Sequence, residues 1–178
     1  MPGSSGSPGA PGAPRVAGAM TTIHRYALPL GCDEVWALIS DVRNYRRWWS
    51  WLRVFEATSL EAGDEWHCEV QPPVPYPVRF DVALELVRAP SFVQARVGGD
   101  VEGRATLTLE AAGDTAPGSV ATLRSSLAPG NPALRLVARV AFPVARFGHD
   151  WVMDAGARQF IARVTRTTSG DGAGPAAA

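Results

Sequence analysis

The chain has 178 residues, with 17 basic and 17 acidic side chains and a formal net charge of zero. That length makes one domain of ordinary size, and the even charge lacks the cationic excess that a phosphate backbone or an anionic membrane surface attracts. No apolar run is long enough to span a bilayer, while a 46 % hydrophobic content that includes six Trp can bury a core.

The ends differ from the middle. Of the 33 Gly and Pro residues, 13 fall in residues 1–20 and 167–178. Pro2–Gly18 reads PGSSGSPGAPGAPRVAG, which is too poor in large apolar side chains to offset its ordering entropy and has no apolar core of a signal peptide. The expected organisation is a disordered tail over 1–19, a folded domain over 20–166 and a second disordered tail over 167–178. Met20 opens the first patterned segment and is the suspected true start, with a genuine flexible extension as the alternative. Every basic residue is Arg, which fits a GC-rich bacterial genome. Cys32 and Cys68 make no disulfide framework, so a reducing cytoplasm is expected, with both thiols acting as small apolar groups.

Thr21–Leu28 has the composition of a strand that Pro29 and Gly31 end. Cys32–Val42 carries acidic residues in its first turn and Val35, Trp36, Leu38 and Ile39 at helical spacing. A second short helix is expected over Val42–Trp51, followed by a strand over Val54–Ser59. Glu65–Gln71 alternates, with Trp66, Cys68 and Val70 on one face and Glu65, His67 and Glu69 on the other. Val78, Phe80, Val82, Leu84 and Leu86 alternate with Arg79, Asp81 and Glu85. Strands over Phe92–Val97, Val101–Glu110 and Val120–Leu127 follow, the second with Val101, Ala105, Leu107 and Leu109 on one face. Period two over successive strands implies an antiparallel sheet with one wet and one buried face. Asn131 and Pro132 then read as the start of a helix. Its apolar stripe runs from Leu134 to about Val164, with a kink or break at Pro143. One strand, two short helices, some six strands and one long helix make an α+β layer design. Strong curvature around a helix of that length leaves a hollow.

Three stretches, VWALISDVRNYRRWWSWL (Val35–Leu52), GGDVEG (Gly98–Gly103) and GHDWVMDAG (Gly148–Gly156), stand in an order and spacing that resembles the START-like (helix-grip, SRPBCC) superfamily. The likeness is greatest to its polyketide cyclase/dehydrase and lipid-transport branch and covers about Met20–Val164. It implies an α+β helix-grip fold, a curved antiparallel sheet of six or seven strands wrapped around a long C-terminal helix. Asp154 stands where that pattern usually carries a basic residue. The superfamily hosts binders, transporters and cyclases, so the resemblance guides fold more than activity.

The Trp48, Trp49 and Trp51 cluster either floors a ligand pocket or staples the short helices to the sheet, and Trp49 is the indole chosen to face the hollow. Trp66 belongs to the core or the cavity wall. His149 is the only catalytic candidate. It lies near the helix side that carries Met153 and Phe160, where it would donate to a ligand carbonyl or move a proton, or else bond to a neighbouring strand or loop. Asp150 points about 100° away from it. His67 and Cys68 face opposite sides of a strand and cannot share a metal. His24 stands alone, and no spacing suggests a zinc site, so no metal and no cofactor is expected. Asp81, Glu85, Glu102 and Arg104 read as a solvated face with cross-strand ion pairs, and Arg124 shares a side with Val120 and Thr122.

The first functional expectation is a small hydrophobic ligand, such as a lipid, isoprenoid or polyketide, held in an internal cavity for transport or sequestration. Its lining is expected from Trp49, Trp66, Phe80, Leu84, Leu107, Leu123, His149 and Met153. The second is a polyketide aromatase/cyclase using that cavity, with His149 as acid–base. The third is a protein-partner module with a vestigial cavity. No nucleic acid and no integral membrane association is expected.

Overall fold

The computed structural model describes residues 19–73, 76–113, 118–131, 148 and 150–165. Seven strands form one antiparallel sheet, β1 (Met20–Leu28), β2 (Leu52–Glu56), β3 (Glu65–Val70), β4 (Val78–Arg88), β5 (Phe92–Gly99), β6 (Val101–Ala111) and β7 (Ser119–Pro129). Their spatial order is β1-β7-β6-β5-β4-β3-β2, so β1 and β2, separated in sequence by the short helices, are the two edges of a curled half-barrel. A helix over residues 150–165, here α3, lies against the inner side of that sheet. The expected cap at Asn131 with Pro132, the helix from Leu134 to residue 147 and the break at Pro143 concern residues 132–147, which lie outside the described residues, as do the two expected tails apart from Ala19.

Between β1 and β2 the chain forms α1 (Cys32–Ser40), a 3-10 turn (Val42–Asn44) and α2 (Tyr45–Trp48). At the start of α1 the Glu34 carboxylate accepts the Gly31 N–H at 2.9 Å, meeting one donor that the first helical turn leaves open. The expected single helix over Val42–Trp51 is therefore corrected. It ends at Trp48, because Trp49 is extended and its carbonyl accepts from Leu52 N at 3.0 Å. Strand β2 begins at Leu52, two residues earlier than expected, and ends before Ser59. The Ser59 carbonyl and hydroxyl are engaged by Trp66 and Asp64 instead of by a ladder.

Pairing registers fix the two faces. Trp66, Cys68 and Val70 on β3 stand opposite Val82, Phe80 and Val78 on β4, and this row turns inward. The alternation expected to continue through Leu86 does not. A register shift between Leu84 and Leu86 sets Leu86 opposite Gln94, while Val87, opposite Val93, takes the inner side. One extra residue in a strand reverses every side chain after it. At Gly103, φ is +150° and a Cβ would run into the Ser126 carbonyl, so only glycine lets β6 approach β7 there.

Two apolar clusters fill the inner side. One joins Val42, Tyr45, Leu52, Leu60, Val70, Leu84, Val93 and Ala95. The other joins Val35 on α1 and Leu28, Leu109 and Ala121 on the sheet to Phe160 and Val164 on α3. Leu107 touches both.

Candidate functional site

The inner face divides into an aromatic block beside β2 and a polar seam beside β1. Tyr45 is the hub of the block. Its ring meets Trp48, Trp49, Phe55 and Trp66 at centroid separations of 5.8, 4.8, 5.0 and 5.9 Å, and its hydroxyl donates to the Ile39 carbonyl at 2.6 Å. Trp49 stacks on Trp51 at 5.7 Å and donates its indole N–H to the Gly156 carbonyl of α3 at 3.0 Å. Trp66 donates to the Ser59 carbonyl at 2.8 Å. Both indoles thus spend their one polar atom inside the protein. The Trp51 indole nitrogen is buried with no hydrogen-bond partner, and so is the Gln159 side-chain oxygen on α3.

Of the other expected lining residues, Leu84 is buried in the first cluster, and Phe80 and Leu107 pack against it. Leu123 stands opposite both Leu107 and His24, and Met153 is half-buried on α3. Phe80, Leu107 and Leu123 are each only partly buried although they belong to the inner rows. His149 lies outside the described residues.

His24 does not stand alone, and that expectation is corrected. Its ring lies parallel to Tyr26 at 6.2 Å, and its nitrogens approach the Asp150 and Asp154 carboxylates of α3 at 3.9 and 4.0 Å. Period two in a strand and a spacing of four in a helix bring these four side chains together. Asp154, the departure from the familiar pattern, is one wall of this seam. The Tyr26 hydroxyl is buried beside the Asp154 carboxylate. Burial first, then the Asp154 and Asp150 carboxylates against the opposing effect of Arg158, push it up to about 12, so it stays a proton donor. Burial also pushes the Cys68 thiol up to about 12, which leaves it inert.

A separate open depression of about 600 Å³ lies on the outer side, lined by Val54, His67, Glu69, Arg79, Asp81 and Asp100 among others. Its charges answer one another. His67 meets Asp81 at 2.5 Å, Arg79 meets Glu69 at 2.7 Å, and the Arg79 backbone N–H donates to Asp100 at 2.9 Å. The expected ion pairs extend along this face, with Glu85 facing Arg96 and Arg104 at 3.6 and 3.9 Å. Arg124 is exposed, on the strand side opposite Leu123 and Ser125. Among the described residues no group of three or more His, Cys, Asp or Glu is placed to hold a metal, and no helix is long and apolar enough to cross a membrane.

No protein-family model matches the chain, and no curated protein matches its sequence. Solved structures do match. A START superfamily protein from Mycobacterium smegmatis superposes with a TM-score of 0.65 at 10 % identity, over 84 % of this chain and 99 % of that one. Protein Ms6760 from the same organism gives 0.60 at 17 %, over 83 % and 92 %. A norcoclaurine synthase point mutant from Thalictrum, in complex with a transition-state analogue, gives 0.57 at 13 %, over 86 % and 99 %. Likeness at such identities reports on the fold, and it agrees with the strand order and the helix placement. The chain has the α+β helix-grip fold of the START-like superfamily.

Proposed function

We propose that the chain binds a small hydrophobic ligand, of lipid, isoprenoid or polyketide-like character, between the inner face of the sheet and α3, for transport or sequestration. The observation that carries this reading is the partial burial of Phe80, Leu107 and Leu123, inner-face residues that the surrounding core does not close over. Apolar surface left open on an inner face is what a hydrophobic guest covers. The outer depression is the poorer candidate, since it is open and the charged side chains of its wall are already paired with one another.

Titration of the full chain with the neutral probe N-phenyl-1-naphthylamine tests this reading. Saturable binding is expected, and it should be lost in Leu123→Trp, which fills the space, and kept in Thr108→Trp. Absence of saturable binding in the unaltered chain, or equal loss in both variants, contradicts the reading.

The His24 seam favours a second reading, in which the same space closes a poly-ketone by aldol chemistry. An imidazole between two carboxylates, beside a protonated phenol, is suited to moving a proton to and from a bound carbonyl compound. In this reading His24→Gln abolishes turnover and leaves binding of the probe intact, whereas equal turnover in both proteins removes it.

A further inference from the structure

We propose that His24 is an acid-closed latch between β1 and α3, so that the chain holds its ligand longer in acid and exchanges it faster above neutrality. This inference rests on the ligand-binding reading above and adds to it how the guest is released.

The imidazole stands between two carboxylates of one helix. Its Nε2 faces Asp150 at 3.9 Å and its Nδ1 faces Asp154 at 4.0 Å, both on α3. A neutral imidazole has one N–H and one bare nitrogen, so one of the two must turn a lone pair toward a carboxylate. The protonated ring donates from both nitrogens and answers both carboxylates. The two spans are about 1 Å longer than a charge-assisted hydrogen bond of about 2.7–2.9 Å. Gaining the proton therefore draws α3 toward β1, and losing it lets the helix move away.

The latch borders the ligand space. His24 stands opposite Leu123 in the β1–β7 register, and Leu123 is one of the inner-face side chains left partly open. Because α3 is the other wall of that space, a shift of α3 against β1 narrows or widens the way past Leu123. The seam also reaches water, with side-chain exposures of 17 % for His24, 38 % for Asp150 and 51 % for Asp154.

Among the described residues, the titratable and charged groups around the ring are Tyr26 on β1 and Asp150, Asp154 and Arg158 on α3. Its neighbour on β7 is the apolar Leu123. Tyr26, pushed up to about 12, keeps its proton, and a guanidinium keeps its charge. Of the side-chain types present here, imidazole is the one whose charge changes between about pH 5 and 8. His67 lies apart on the outer face, bonded to Asp81.

Stopped-flow release of N-phenyl-1-naphthylamine, neutral at each pH used, tests the latch on the full chain. In the unaltered chain, release should be about fivefold faster at about pH 8 than at about pH 5.5, the worth of two partly exposed charge pairs. His24→Gln should release the probe alike at both pH values. Asp154→Asn, which keeps Asp150, should lower the ratio to about twofold, and His67→Gln should leave it near about fivefold. Equal release at both pH values in the unaltered chain, faster release in acid, or a ratio that His24→Gln leaves unchanged overturns the latch while the cavity reading stands. Failure of the probe to bind the unaltered chain overturns the cavity reading and the latch together.

Discussion

The two faces of the sheet handle polar groups in opposite ways. Outside, charge meets charge in water, with His67 on Asp81, Arg79 on Glu69, and Arg96 and Arg104 around Glu85. Such pairs sit in high dielectric and contribute little to stability. Inside, neutral donors are spent on backbone carbonyls, and the polar atoms of Trp51 and Gln159 are left buried and unmet. The contrast separates shape from chemistry. The outer depression has volume and charges already paired, whereas the inner face has uncovered apolar surface that a guest would cover.

That contrast can be broken most forcefully at Tyr45, which four aromatic rings surround. Tyr45→Ala should lower unfolding free energy by about 3–5 kcal/mol in chemical denaturation. Tyr45→Phe, which loses only the bond to Ile39, should cost about 1 kcal/mol. Next comes Gly156→Leu, where the new side chain meets both indoles and overpacks the block, with an expected loss of about 1–3 kcal/mol.

Trp49 and Trp51 sharpen the comparison within the block. Trp49→Phe removes the indole's added bond to the Gly156 carbonyl and should cost about 1 kcal/mol, while Trp51→Phe removes a donor that bonds to nothing and should cost less. On the outer face, Glu85→Gln should shift stability by under about 1 kcal/mol and leave probe binding unchanged.

The smallest effect expected is a pH signature at His67. The Asp81 carboxylate bonded to it raises its folded value above the ordinary 6.5. The stabilisation is therefore complete below that ordinary value and is lost as pH rises through the folded value. The melting-temperature gap between the unaltered chain and His67→Ala should be visible near about pH 6 and closed near about pH 9. A gap that widens with rising pH would contradict this pairing.

Strand content was readable because alternation is a local signal, and the inward row Trp66, Cys68 and Val70 of β3 follows it. The turn of Leu86 to the outer side was not readable, since a bulge changes pairing and leaves residue types untouched. His24 looked isolated because its carboxylate neighbours lie on α3, more than a hundred residues away. Its face was nevertheless legible, since period two in TTIHRYAL joins His24 to Tyr26 and Leu28, and a spacing of four joins Asp150 to Asp154. Trp49 and Trp51 differ only in whether a carbonyl of α3 lies within reach of the indole, which no spacing in RRWWSWL encodes.

Native mass spectrometry of the full chain purified without organic solvent tests ligand binding most directly. The account predicts a species heavier than the bare chain by one small hydrophobic molecule, released on organic extraction. A protein that is bare in that spectrum and also fails to take up N-phenyl-1-naphthylamine would contradict it.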